Sequence, residues 1–311
     1  MMLALGIDIG GTNTAYGFVD IYGVIHAKGS ISTLGHSTVD NFIEALHNEL
    51  TPYISKFGHG NIAGIGVGAP NGNYYTGEIV FAPNLPWRGV LPLAELFKNI
   101  FALNTILTND ANAAALGEMK YGVARGMKDF IMVTLGTGLG SGFVANGQLI
   151  YGHDGFAGEL GHVIAVREGR KCGCGRLGCL EAYASATGIV ATAEEWLEQR
   201  DTITLLRERK GKISAMQLHK AALEGDKLAL EIFDYTAKIL GQTLADIITI
   251  TSPQAIIFFG GLANSGDTLL VPVKKYMEEN ILNIYKNKVE LLISSLPGSD
   301  AAILGASALV W

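Results

Sequence analysis

Cysteine is scarce, with three residues in a chain of 311, all of them between positions 172 and 179. Three thiols cannot all pair with one another, and so short a segment makes no disulfide framework; a reducing compartment and a metal site account for them better. Long apolar runs are missing too, since none approaches the ~18 residues that cross a bilayer. The opening Met1-Met2-Leu3-Ala4-Leu5-Gly6-Ile7 enters a strand pattern with no cationic leader, so a cytoplasmic location is expected. Basic charge is in short supply. With 23 Lys+Arg against 29 Asp+Glu the formal net charge is −6, and no basic block offers a footprint for nucleic acid or anionic lipid, which leaves small molecules as the expected partners. No linker or low-complexity segment interrupts the chain. Neither a Walker A sequence nor a complete dinucleotide fingerprint occurs, because Gly136-Thr137-Gly138-Leu139-Gly140-Ser141 lacks the required spacing and acidic partner.

What is present suits a globular α/β protein. Hydrophobic residues make up 49% and charged residues 17%, enough apolar surface for substantial cores, and a chain of this length favours two domains with a cleft between them. Leu3–Ile9 and Ala15–Val19 read as strands joined by Gly10-Gly11-Thr12-Asn13-Thr14, with Val24–Ala27 following a turn at Gly23. Val39, Phe42, Ile43, Leu46, Leu50 and Ile54 have helical spacing over 39–57, followed by an apolar strand at Ile62–Val67. A strand at Thr105–Leu107 leads through Asn109-Asp110 into an Ala-rich helix, 111–120. The strand, small-residue turn and strand then return about 126 positions later, as Ile131–Leu135, Gly136–Gly142 and Phe143-Val144, which suggests internal duplication or simply a second hairpin. Residues 186–250 are mostly helical in period, and their charge runs Glu194-Glu195 and Arg207-Glu208-Arg209-Lys210 are expected on solvated faces. A strand at Ala255–Phe259, a helix over 267–280, a strand at Val289–Ser294 and a small-residue helix from Ala301 complete an alternating layer architecture.

Several groups could carry chemistry. Turns without Cβ atoms let backbone N–H groups approach phosphate oxygens, and Asp8 just ahead of the first turn could face a phosphate-bound Mg²⁺; a plain hairpin with a polar neighbour fits the spacing as well. Asp110 opens a helix directly after a strand, where it could act at the sheet's carboxyl edge, or where it or Asn109 could simply cap the helix. His162, Cys172, Cys174 and Cys179 are four borderline-soft ligands within 18 residues, suited to a closed tetrahedral zinc site of structural type; free buried thiols are the other reading. Glu159 and Glu181 flank that loop and could accept paired hydrogen bonds from vicinal sugar hydroxyls, with Asn84 adding an amide and Trp87 an apolar wall, though ordinary surface acids and an ordinary turn have the same composition.

Taken together these residues resemble the ROK family of sugar kinases, within the actin-like ATPase superfamily. The resemblance spans essentially the whole chain and rests on Asp8-Ile9-Gly10-Gly11-Thr12, Asn109-Asp110, Leu135-Gly136-Thr137-Gly138, Glu159-Leu160-Gly161-His162, the segment from Cys172 to Glu181, and Phe259-Gly260-Gly261. It implies a two-domain, ribonuclease H-like α/β fold: an N-terminal domain, 1–117, joined by a C-terminal helix, 299–311, and a larger domain, 118–298, that carries the zinc loop 162–181. It implies an ATP-dependent kinase, with Mg²⁺ and a structural Zn²⁺, acting on a hexose or N-acetylhexosamine, the glucose 6-hydroxyl foremost. N-acetylglucosamine, N-acetylmannosamine and fructose are the alternative acceptors, and a non-catalytic sugar sensor is the rival of another class. By the same resemblance Asp110 is the general base and Asn84, Asn109, Glu159, His162 and Glu181 hold the sugar. Asp8, Gly10, Gly11, Thr12, Gly136, Thr137 and Gly138 serve the phosphates, Gly260 and Gly261 the adenosine, and a homodimer is expected. The chain departs from the family pattern at Asn13, where many members carry Lys, and at Asn71-Gly72, where further Gly or Pro is usual. Family transcription factors carry an additional DNA-binding domain, and none is expected here because the chain opens on the first kinase strand.

Overall fold

The computed structural model describes residues 1–208, 212–298 and 300–311. The first half contains β1 (Leu3–Ile9), β2 (Asn13–Asp20), β3 (Ile25–Ser32), α1 (Val39–Phe57), β4 (Ile62–Gly68), the short pair β5 (Ile79–Val80) and β6 (Val90–Leu91), α2 (Leu93–Phe101), β7 (Thr105–Thr108) and α3 (Asp110–Tyr121). The second half contains β8 (Phe130–Leu135), β9 (Leu139–Ala145), β10 (Gln148–Leu149), α4 (Glu181–Ala184), α5 (Ala186–Gln199), α6 (Leu205–Glu208), α7 (Ala215–Leu223), α8 (Lys227–Thr251), β11 (Ala255–Phe259), α9 (Asp267–Asn280), β12 (Glu290–Ile293) and α10 (Ala301–Ala308).

Two five-stranded sheets result, in the orders β3-β2-β1-β4-β7 and β10-β9-β8-β11-β12. In each, an antiparallel meander supplies three strands and two further strands join in parallel, so the duplication suggested by the sequence is a duplication of topology. Asp8 pairs with Ala15 across the first hairpin and Thr134 pairs with Gly140 across the second, which makes Thr134 the counterpart of Asp8.

Local signals account for most elements. The α1 helix starts where the Thr38 hydroxyl accepts the N–H of Asn41 at 3.2 Å, buries Phe42, Ile43, Leu46 and Leu50 at helical spacing, and stops at Gly58, whose φ of 84° a side chain would resist. Those residues meet Leu3, Leu5, Ile7 and Ile9 of β1 in the first core. In the second half Ile232, Phe233, Leu240 and Leu244 of α8 pack with Val273 and Met277 of α9 beneath Ile131, Val133, Ile256 and Phe258. Each such side chain contributes about 1.5–3 kcal/mol by its burial, and truncating Phe233 to Ala costs about 3–5 kcal/mol.

The last helix returns to the first sheet. It crosses β1, β2 and β4 and lies along α3. Its backbone comes this close because Gly6 and Gly66 have no side chains: a methyl on either would collide with the carbonyl oxygen of Ile303 or Ala306. Ser299, where this helix was expected to begin, lies outside the described residues, as do Arg209 and Lys210 of the second charge run. Glu194 and Glu195 of the first run are exposed, as expected, and the Glu195 carboxylate takes both the Nε (2.8 Å) and an Nη (2.6 Å) of Arg170, because α5 packs beside the cysteine loop. Among the described residues no helix is long and apolar enough to cross a membrane.

Candidate active site

Residues from both sheets, and from the start of α3 between them, line a cleft of about 450 Å³. Asp8, near the end of β1, and Asp110, the first residue of α3, both line it, close enough for the Asp110 charge to act on Asp8. Gly68 of β4 borders both: a methyl there would press on the Ala113 methyl at 3.2 Å and stand in ordinary contact with Asp8 Oδ1 at 3.6 Å and Asp110 Cα at 3.7 Å. Burial, and then the neighbouring Asp110 charge, push the Asp8 carboxyl up to about 7. The Asp110 carboxyl is also raised, by burial first, while the N–H of Ala111, which donates to Oδ1 at 2.8 Å, pulls the other way. A helix N-terminus alone would lower an acid's pKa. Here desolvation wins, although Asp110 stays open to the cleft on one side, and a base is better for it. Asn109 caps α3 with Oδ1 on the N–H of Asn112 at 2.7 Å and still lines the cleft, so capping and a site role coincide.

One wall is the cysteine loop. Isolated bridges pair Ile164 with Cys179 and Lys171 with Leu177, folding 162–181 into a knuckle that brings His162, Cys172, Cys174 and Cys179 within 4.8 Å of one another. The Cys174 and Cys179 sulfurs are 3.6 Å apart, and His162 Nδ1 is 3.8 Å from Cys172 Sγ. A tetrahedral zinc with bonds of about 2.0–2.3 Å needs ligand-to-ligand edges of roughly 3.6–3.8 Å, so the donor set fits the ion. Left alone, burial pushes the Cys172 thiol up to about 12 and raises Cys179, so three thiolates packed this closely call for a cation. With Nδ1 turned to the sulfurs, His162 Nε2 faces Glu159, 4.0 Å from its Oε2. Arg170 fixes the loop from behind, reaching the Ala182 and Gly188 carbonyls as well as Glu195.

The expected residues divide between two connected spaces. Asp8, Asn84, Asn109, Asp110, Gly136, Thr137, Gly138, Glu159, His162, Glu181 and Gly260 all line the cleft. Gly260 also borders an adjoining cavity of about 300 Å³ with Gly261, Asn264 and Phe258. Gly260 has a φ of 106° and no room for a side chain beside the Leu135 carbonyl, 2.7 Å from where a Cβ would stand. Gly10, Gly11 and Thr12 form the turn between β1 and β2 but do not line the cleft wall; Gly11 packs under the Asn84 carbonyl, 2.5 Å from where its own Cβ would stand.

Two side chains have partners that the sequence did not disclose. The Glu181 carboxylate accepts the N–H of Leu139 at 2.9 Å through Oε2, while Oε1 lies 3.5 Å from Cys172 Sγ, so it ties the second glycine turn to the cysteine loop. Trp87 is no cleft wall. Its ring is buried 4.8 Å from that of Phe42 and its Nε1 donates to the His36 carbonyl at 3.1 Å, because the turn folds inward onto α1. The cleft also recruits Thr134, Pro70, Asn71, Glu118 and Ser294. Of these Thr134 had a sequence signal in its place 126 positions after Asp8, and Asn71 had one in its departure from the family pattern.

Comparison with known proteins matches this geometry to a family. A glucokinase of Halalkalibacterium halodurans is 37% identical over 314 aligned positions, covering 98% of this chain and 94% of its own. An N-acetylmannosamine kinase of Escherichia fergusonii is 31% identical over 99% of this chain and 98% of its own. The crystal structure of a ROK family glucokinase from Streptomyces griseus, in complex with glucose and AMPPNP, superposes with a TM-score of 0.81 at 33% identity, covering 99% of this chain and 98% of that one. The sequence model of the ROK family matches residues 4–311, and the chain belongs to that family.

Proposed function

We propose that the chain is an ATP-dependent hexose kinase that transfers the γ-phosphoryl group of ATP to a sugar hydroxyl, with the glucose 6-hydroxyl as the leading acceptor. The observation that carries this reading is Asp110: a carboxylate with a raised pKa that lines the cleft together with the second glycine turn and the end of the cysteine loop. Phosphoryl transfer asks a protein for alignment, charge neutralisation and a place for one proton. On this reading the acceptor oxygen forms its bond to phosphorus as the bond to the β-phosphate oxygen breaks, and the hydroxyl proton passes to Asp110. ADP and the sugar phosphate leave. Sugar binding alone needs no base, which speaks against a purely sensing protein.

Asn84, Asn109, Glu159, His162 and Glu181 would hold the sugar, His162 using the nitrogen that faces away from the sulfurs. The turns at 10–12 and 136–138 and the Gly260-Gly261 cavity would hold ATP, with Asp8 toward its Mg²⁺. A structural zinc at His162, Cys172, Cys174 and Cys179 would supply the charge that keeps the loop folded. The domain division we adopt, 1–117 with 299–311 against 118–298, is supported by the seat of α10 on the first sheet. Action in the cytoplasm suits a thiol-based metal loop. A homodimer is the commonest closed assembly and is checked by light scattering. The likeness to an N-acetylmannosamine kinase makes that activity the second reading. ADP production measured over a panel of hexoses and N-acetylhexosamines with Mg²⁺-ATP decides the acceptor, and failure on every sugar refutes the kinase reading.

A further inference from the structure

Two loops meet beside the cleft, and apart from Glu159 the chemistry above gives them no role. One follows β4 through 70–76, and the other follows β10 through 150–159. Each has one end in the cleft wall, at Pro70 and Asn71 in the first and at Gly158 and Glu159 in the second. Between those ends the loops are bound to each other. The Tyr74 and Tyr151 rings stack with centroids 3.9 Å apart and planes 9° apart. The Tyr75 hydroxyl donates to the Gly152 carbonyl at 3.0 Å, and the buried Asn73 donates Nδ2 to the Asp154 carbonyl at 2.6 Å. Asn73 Oδ1 meanwhile accepts the N–H groups of Tyr75 (2.9 Å) and Thr76 (3.2 Å), so one side chain shapes its own loop and grips the other.

These contacts continue to the site by short paths. The Ala157 N–H donates to the Tyr151 carbonyl at 3.0 Å, two residues before Glu159, and the Ser141 hydroxyl holds the Gly158 carbonyl. On the other side Asn71 donates Nδ2 to the Val80 carbonyl at 2.9 Å, and the Asn73 N–H donates to the Glu78 carbonyl at 2.8 Å. The loops come from opposite sheets, so any widening of the cleft on this side must first part the stacked rings.

We propose that Tyr74 and Tyr151 are positioning residues, forming a brace that holds the Asn71 and Glu159 walls in register before the sugar arrives. This rests on the sugar-kinase reading. A brace of this kind lowers the ordering cost of sugar binding, because the hydroxyl acceptors are already in place. It acts on the sugar and leaves the nucleotide alone, since the loop ends it braces carry Glu159 and Asn71, whereas the nucleotide is assigned to Gly136–Gly138 and Gly260-Gly261.

The test is steady-state kinetics on the full chain with Tyr74→Ala, Tyr74→Phe and Tyr75→Phe. Tyr74 is partly exposed, so losing its ring spares both cores. Tyr74→Ala should raise the sugar KM about tenfold, equivalent to about 1.4 kcal/mol, with kcat and the ATP KM within about twofold of wild type. Tyr74→Phe should restore the sugar KM, because the ring makes the stack, and Tyr75→Phe should raise it about threefold through the lost bond to Gly152. An unmoved sugar KM in Tyr74→Ala overturns the proposal, as does a parallel loss of ATP affinity and kcat, the mark of general loosening. A wild-type chain that phosphorylates no hexose removes the sugar reading and the brace together, whereas an active wild type with an unmoved Tyr74→Ala removes the brace alone.

Discussion

Lowering the pH from 8 to 6 should reduce kcat/KM for Mg²⁺-ATP about tenfold, because Asp8 titrates in that interval. Its carboxyl is held at about 7 against an ordinary 3.8, by burial first and by Asp110 second. At pH 8 about nine molecules in ten then carry the Asp8 charge, and at pH 6 about one in ten. Only the charged form favours a metal-bound triphosphate. Bound Mg²⁺ pulls the pKa down, so the limb in kcat, which reports the loaded enzyme, should fall at lower pH than the limb in kcat/KM. Stability should respond with the opposite sign. An acid whose folded pKa is raised binds its proton more tightly in the native state, so its contribution is whole below about pH 4 and is lost as pH rises through about 7. The ligand-free Tm of wild type, taken relative to Asp8→Asn, should therefore decline from pH 5 to 8. In Asp8→Asn this acid limb should disappear, since the titrating carboxyl is gone, and the ATP KM should exceed that of wild type most at pH 8, where wild-type Asp8 is charged. Direct chromatographic assay of ADP at constant ionic strength avoids pH-sensitive coupling enzymes. A flat wild-type profile between pH 6 and 8, or a limb that persists unchanged in Asp8→Asn, refutes this account.

Replacing Asp110 with Asn should cut kcat by about 10²-fold or more while sugar binding, followed by calorimetry, largely persists; near-normal turnover would remove it from the role of base. The purified chain should hold one zinc per chain by elemental analysis, and Cys174→Ser should lower both Tm and sugar affinity, since the loop that carries it also carries His162 and Glu181. Glu159→Gln should raise the sugar KM about tenfold and leave the ATP KM within about twofold, if its charged hydrogen bonds are worth roughly 1.5–3 kcal/mol. Glu181→Ala should weaken both substrates, because its carboxylate holds the N–H of Leu139 beside the second glycine turn, and a purely sugar-side effect would contradict that coupling.

The sequence by itself determined whatever is written locally. The apolar spacing over 39–57 is the helix Val39–Phe57, the four donors of the cysteine knuckle lie within 18 residues of one another, and the repeated strand-turn-strand pattern is a repeated hairpin because each copy folds through near neighbours, while the parallel strands that make the duplication one of whole sheets were not part of the repeat. The tertiary structure decided whatever depends on residues far apart along the chain. Trp87 sits in a segment rich in Pro and Asn that reads as a cleft wall or a plain turn, yet it enters the core because Phe42 and His36 receive it. Glu195 lies on a solvated face, as its run suggests, but its ion-pair partner Arg170, 25 positions earlier, is set by packing. Glu181 is joined to Leu139, 42 positions earlier, and Asp8 is raised by burial and by Asp110, 102 positions later. Periodicity and spacing state which face a residue shares with its neighbours in the chain, whereas a pKa, a hydrogen-bond partner or a stacked ring depends on which other segment the packing brings alongside.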